Sequence, residues 1–154
     1  MSEGIGEHLP DFSLPTDGGG TLTNEDLSGK KVVLYFYPKD DTSGCTKEAR
    51  AFGEIADALA ATGTIVVGVS RDSVASHDRF KAKHALPFTL VADEDGRLCT
   101  ALGVWVQKSM YGRSYMGIER TTFLVDESGV IRRVWRKVKV PGHAAAVLAA
   151  AQAL

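Results

Sequence analysis

Cysteine is scarce in this chain, with Cys45 and Cys99 the only two among 154 residues. Two thiols make no disulfide framework and suit a reducing compartment. His8, His77, His84 and His143 are scattered singly. Neither they nor the cysteines show the short paired spacings of zinc sites, so no metal and no cofactor is expected. No apolar run approaches the roughly 18 residues that a membrane helix needs. Met1 to Pro10 carry Glu3 and Glu7 but no basic or long apolar run, so no secretory or mitochondrial leader is expected, and the cytoplasm is the expected compartment. An excess of one charge is also missing, since 18 Lys and Arg face 19 Asp and Glu for a net charge of -1. Such a balance recruits neither nucleic acid nor an anionic membrane. The cluster Arg132, Arg133, Arg136, Lys137 and Lys139 alternates with Val134, Val138 and Val140, which reads as the solvated face of a strand. Internal repeats, low-complexity tracts and linkers are absent.

What is present is 44% hydrophobic and 24% charged residues, enough for one domain spanning 1–154 with a continuous core. Phe12 to Leu14 and Thr21 to Thr23 flank the turn signal Thr16-Asp17-Gly18-Gly19-Gly20, predicting a small N-terminal β-hairpin, and Thr23 with Asp26 is placed to cap a short helical turn. Val32 to Tyr37 is an unbroken apolar and aromatic run, the pattern of a strand buried on both faces. Ala49, Phe52, Ile55, Ala56 and Leu59 then recur at helical spacing, with Thr42 or Ser43 as the expected N-cap. A second buried strand over Ile65 to Val69, a helix over Val74 to His84, a third strand over Phe88 to Ala92 and a short helix over Leu98 to Leu102 follow. Val104 to Gly117 has no clear period and reads as an ordered loop, while Arg120 to Val125 and Val130 to Val138 read as an antiparallel hairpin before an alanine-rich final helix. This order predicts an α/β layered domain with a mixed central sheet flanked by helices.

Sites in such sheets lie beyond the carboxyl ends of strands. Cys45 occupies that location, in Tyr37-Pro38-Lys39-Asp40-Asp41-Thr42-Ser43-Gly44-Cys45, just after a central strand and at a helix start. Thiolate is the reactive form of cysteine, and unpaired amides at a helix start favour it, more so with a cation nearby. Lys39 and Lys47 are the nearest cations in sequence, and Thr42 and Thr46 supply hydroxyls. A buried, inert thiol is the alternative, although the flanking residues are charged or hydroxylic rather than apolar. Dithiol exchange would need a second cysteine where Glu48 stands, and acyl transfer would need a histidine base that only the fold can supply.

Pro38, Thr42 and Cys45 fit the Pro-x-x-x-Thr-x-x-Cys pattern, and the chain resembles the peroxiredoxins, most closely the bacterioferritin comigratory protein, or Q-type, subfamily. Asp11-Phe12-Ser13-Leu14-Pro15, Leu102-Gly103-Val104-Trp105, Tyr111-Gly112 and Glu119 to Asp126 are similar to that subfamily in order and spacing, so nearly the whole chain is covered. The resemblance implies a thioredoxin-like fold and a thiol-dependent peroxidase acting on hydrogen peroxide and organic hydroperoxides, with Cys45 as the peroxidatic cysteine. It further implies Arg120 as the active-site cation, Thr42 as a hydroxyl on the peroxide, Pro38 as a shield of the pocket and Glu48 as the residue that orients Arg120. Trp105, Tyr111 and Met116 are candidates to line an apolar approach.

The chain departs from its relatives where a resolving cysteine would stand, because position 50 is Arg50 and the stretch Val74 to His84 has no cysteine. Cys99 is the remaining thiol and a possible resolving residue. The expected cycle therefore uses one cysteine, with thioredoxin, glutaredoxin or glutathione as external reductant and a monomer as the working unit. A Cys45–Cys99 disulfide and a non-catalytic thioredoxin-like binding or chaperone module are the alternatives.

Overall fold

The structure, a computed structural model, describes residues 4–154. Met1, Ser2 and Glu3, part of the segment read for a leader, lie outside the described residues. No described helix is long and apolar enough to cross a membrane.

Strands β1 (Ser13–Pro15) and β2 (Thr21–Thr23) form the N-terminal hairpin, and β2 leads into the short helix α1 (Asn24–Leu27). Thr23 and Asp26 close a capping box there, each satisfying a backbone N–H of the other. The central sheet has the order β5-β4-β3-β8-β9, built from β3 (Lys31–Phe36), β4 (Thr64–Ser70), β5 (Thr89–Ala92), β8 (Thr121–Val125) and β9 (Ile131–Trp135). β3, β4 and β5 run parallel because helices α2 (Ser43–Ala60) and α3 (Val74–His84) carry the chain back between them. β8 pairs antiparallel with β3, and β9 antiparallel with β8. The mixed sheet expected from the element order is thus present.

Alternation along β3 divides the core in two. Val32, Leu34 and Phe36 face one layer, with Leu27 of α1, Leu98 and Cys99 of α4 (Arg97–Ala101), and Phe123. Val33, Tyr35 and Tyr37 face the other, with Cys45, Ala49 and Phe52 of α2, Phe80 of α3, and Val147 and Ala151 of α5 (His143–Ala153). The period of two is the reason one strand can serve both layers. It also puts the two cysteines on opposite faces of the sheet.

Two elements differ from expectation. Val104 to Gly117 is not a loop but most of a two-stranded ribbon, β6 (Trp105–Met110) and β7 (Arg113–Ile118). On β9 the register slips between Leu124 and Val125, which pair with Arg133 and Ile131, so Arg132 has no opposite partner. That bulge lets Arg132 and Arg133 both face solvent instead of alternating.

Candidate active site

β3 ends at Phe36, and Tyr37 to Thr42 cross the carboxyl edge of the sheet to reach α2. Thr42 occupies the N-cap position with extended backbone (φ -88°, ψ 158°), and its carbonyl accepts from the Thr46 amide at 2.8 Å. Ser43, Gly44 and Cys45 therefore begin the helix with amides that have no intrahelical acceptor. The Thr42 hydroxyl makes no cap bond and donates instead to the Lys39 carbonyl at 2.9 Å. Its proton is thus occupied, and its oxygen remains an acceptor.

Arg120 is delivered by register. β8 starts one residue later, and Thr121 lies opposite Phe36, so Arg120 falls just beyond the end of β3, where the loop to Cys45 begins. The guanidinium bridges two positions of α2: Nη2 donates to Cys45 Sγ at 3.4 Å, and Nη1 donates to Glu48 Oε1 at 2.7 Å. Cys45 and Glu48 share a helix face because they are three residues apart. A Cβ added at Gly44 would sit 3.2 Å from Arg120 Nη2, so the guanidinium lies directly on this glycine. Cys45 is 1% exposed. Burial alone would suit an inert thiol, and the contact with Arg120 is what sets this cysteine apart.

Glu48 is also buried, and its second oxygen, Oε2, has no hydrogen-bond partner among the described residues. Burial pushes its carboxyl up to about 7, against the opposing pull of Arg120. Arg120 is itself disfavoured as a cation by burial, but the charges of Glu48 and Cys45 outweigh that and raise its pKa. Lys108 of β6 feels the same field: burial and the Arg120 charge lower its pKa, with Cys45 and Glu119 opposing.

The ribbon β6–β7 forms one wall of a cleft of about 390 Å³ beside the loop, with Pro38, Trp105, Lys108, Tyr115, Met116 and Ile118 in its lining. Arg71 stacks over Trp105 with 4.3 Å between guanidinium carbon and ring centre, fixing the indole. Trp105 and Met116 line this cleft, while Tyr111 is 98% exposed at the ribbon tip and lies outside it.

Cys99 has a different environment. Its amide donates to Asp93 Oδ2 at 2.8 Å, its side chain is fully buried, and burial together with Asp93 pushes its thiol pKa far up. A thiol held protonated is a poor nucleophile.

A buried thiol under an arginine, at a helix start on the carboxyl edge of a mixed sheet, defines a thiol-based redox protein of the thioredoxin-like class. The AhpC/TSA family model matches residues 5–134, and the chain belongs to this family of peroxiredoxins, which are thiol-dependent peroxidases. It is similar to the putative peroxiredoxin bcp of Coxiella burnetii, 55% identical over 96% of this chain and 98% of that one. It is similar, too, to the peroxiredoxin Bcp of Bacillus subtilis, 47% identical over 96% of this chain and 94% of the relative. Among solved structures, Peroxiredoxin Q of Xanthomonas campestris superposes with a TM-score of 0.89 at 48% identity, over 92% of this chain and 90% of that chain. Another structure of the bacterioferritin comigratory protein of that organism, 47% identical with a TM-score of 0.88 over 92% of this chain and 90% of that chain, was described for its alkyl peroxide reduction activity.

The structure brings Cys45, Glu48 and Arg120 into contact, sets Thr42 at the mouth of the same helix and Pro38 on the neighbouring cleft, and leaves Cys99 behind the sheet. Sequence reasoning missed Lys108 and the close approach at Gly44. Neither has a local signal, because each acquires its neighbour only through the tertiary fold.

Proposed function

We propose that Cys45 reduces peroxides in a one-cysteine cycle whose oxidised sulfur is restored by an external thiol. The observation that carries this reading is the 3.4 Å contact from Arg120 Nη2 to Cys45 Sγ. In the first step the thiolate attacks the terminal peroxide oxygen, an S–O bond forms, the O–O bond breaks, and the departing oxygen takes up a proton to leave as water or an alcohol. Negative charge passes from sulfur to that oxygen, and donors fixed along the line lower the barrier. Arg120 supplies a charge and two N–H groups, the Cys45 amide another donor, and the Thr42 oxygen accepts from the peroxide O–H. Glu48 holds the arginine plane, and Pro38 shields the approach. Trp105, Met116 and Ile118 supply apolar surface in the cleft among Arg71, Glu94 and Lys108, so organic hydroperoxides are substrates beside hydrogen peroxide.

The sulfenic acid product has to be reduced before further oxidation. An external thiol attacks sulfur with loss of water, and a second thiol releases Cys45 as a free thiol and leaves with the first as a disulfide. Separation of Cys99 on the far face of the sheet supports this over a Cys45–Cys99 disulfide, which needs Cα atoms within about 7 Å. Thioredoxin, glutaredoxin and glutathione all meet the chemical requirement. A monomer in the cytoplasm is the proposed working form.

Replacing Cys45 with serine is expected to abolish peroxide consumption, and unchanged consumption would overturn Cys45 as the nucleophile. Intact mass after one equivalent of peroxide is expected to show a gain of one oxygen. A loss of two hydrogens that disappears in Cys99→Ala would establish the two-cysteine cycle instead.

A further inference from the structure

Behind the Cys45 loop lies a buried charged cluster that takes no part in the chemistry above. His77, in the middle of α3, is completely buried. Its Nδ1 lies 2.7 Å from Asp40 Oδ2, and its Nε2 lies 2.9 Å from the Val91 carbonyl oxygen. A neutral imidazole has one N–H and would leave a lone pair facing an oxygen on one side or the other. The imidazolium donates to both oxygens at once, and the Tyr37 hydroxyl lies 3.5 Å from the same Nδ1.

Asp40 is arranged as its counterion. Oδ1 accepts from the Tyr37 hydroxyl at 2.6 Å, and Oδ2 accepts from Ser76 Oγ at 2.8 Å as well as from His77. Three donors thus converge on one buried carboxylate. The Asp40 amide donates in turn to Asp72 Oδ2 at 2.9 Å, and Asp72 also accepts from Ser70 Oγ at 2.6 Å. The titratable groups facing His77 are therefore Asp40 from the loop, Tyr37 from the end of β3 and Asp72 from the turn before α3. Burial works against the imidazolium, but Asp40, Val91 and Asp72 together raise its pKa above the ordinary value.

The segment held this way is the one that carries Cys45. Asp41, with a left-handed φ of 58°, makes an ion pair with Lys83 at 2.7 Å and a hydrogen bond with His84 Nε2 at 2.9 Å, both at the end of α3. These side-chain anchors of the loop thus lie on α3 and the turn before it. With Cys45 only 1% exposed, a reagent larger than a hydroperoxide group can meet the sulfur only when the helix start moves away. Such movement requires the loop to leave α3.

We infer that the Asp40–His77 ion pair is the latch of the Cys45 site: closed, it positions the Pro38-to-Cys45 segment for attack on peroxide, and its release exposes the sulfur to the reducing thiol. This rests on the reading of Cys45 as the reactive thiol. His77 touches no reacting atom and is a positioning residue. Weakening the latch enlarges the open population, so the two half-reactions respond in opposite directions. A residue needed only for global stability would have no such effect.

The test is labelling of reduced Cys45 by a bulky maleimide, assigned by peptide mass, which needs no peroxidase activity and so stands even if the proposed chemistry fails. His77→Gln and Asp40→Asn are each expected to label about tenfold faster than the unsubstituted protein, the size of one charge-assisted hydrogen bond. The increase is expected to show little urea dependence, as befits a local opening. Reduction of the preformed sulfenic acid by glutathione is expected to speed up, while oxidation by hydrogen peroxide slows. Ser76→Ala, which removes a neutral donor and leaves the ion pair in place, is expected to raise labelling by about threefold and provides the reading if either charged-site variant does not fold. Labelling within twofold of the unsubstituted protein in the variants that fold would overturn the latch. So would an increase with the full urea dependence of global unfolding.

Discussion

Arg120 serves two acceptors at once, and its geometry decides how well a substitute can do so. Nη1 holds Glu48 and Nη2 reaches Cys45 Sγ, a division that a planar fork allows and a single ammonium does not. Arg120→Lys is therefore expected to keep the positive charge yet lose on the order of 100-fold in the rate constant for peroxide, because a lysine can satisfy only one partner. Stopped-flow oxidation checks it, and a loss below about threefold would mean that charge alone suffices. Glu48→Gln retains an acceptor oxygen for Nη1, so the same measurement is expected to change little. At this scale the sequence disclosed the nucleophile but not its cation. Cys45 and Thr42 are three residues apart and announce themselves by a turn, a cap and a helix start. Arg120 lies 75 positions away from Cys45, and only the antiparallel register of β8 on β3 joins them, so family resemblance alone could point to it.

Between elements, the decisive fact is the sheet that stands between the thiols. Cys99 sits on α4 with its thiol against Asp93 on one face of the sheet, while Cys45 sits at the start of α2 on the other. Cys99→Ala is accordingly expected to leave turnover with glutathione within about twofold and to cost roughly 1 kcal/mol of stability through a small cavity, measured by urea unfolding. A turnover loss of tenfold or more would give Cys99 a part in the cycle. Helix α2 was legible from the spacing of its apolar residues, and α3 was bounded correctly at both ends, where Leu86-Pro87 follows it and the structure shows Ser73 as its cap. The ribbon β6–β7 was not. Arg113 to Met116 are all exposed, so the alternation that marks a half-buried strand is missing. Its turn, Tyr111-Gly112, has φ of 52° and 76°, the left-handed pair that tight hairpins use, but tyrosine there hides the usual signal of asparagine or aspartate before glycine. The cleft wall beside Pro38 was thus the part least visible beforehand.

For the molecule as a whole, Arg120 couples two buried groups whose titrations oppose each other. His143 opens α5 with Nε2 2.8 Å from Thr122 Oγ1, its ring edge-on to Phe52 and Trp135, and burial lowers its pKa to about 4 with Arg120 adding to the effect. An unfolded chain would protonate it from its ordinary value of 6.5, so His143 lowers stability as pH falls from about 6.5 towards 4. Glu48 does the reverse. Its folded pKa of about 7 lies above the ordinary 4.5, so the native state keeps a proton that the unfolded chain releases, and stability falls as pH rises through that interval. Across the shared window, from 4.5 to 6.5, the two slopes cancel, each amounting to one proton. The unsubstituted protein is therefore expected to have a nearly constant urea midpoint there as far as these groups decide it. Glu48→Gln removes the falling component, and its midpoint is expected to rise with pH over the window and to exceed that of the parent most clearly above pH 7. His143→Gln removes the rising component, and its midpoint is expected to fall with pH instead. Three parallel pH profiles would show that neither group titrates within the fold as its burial beside Arg120 requires.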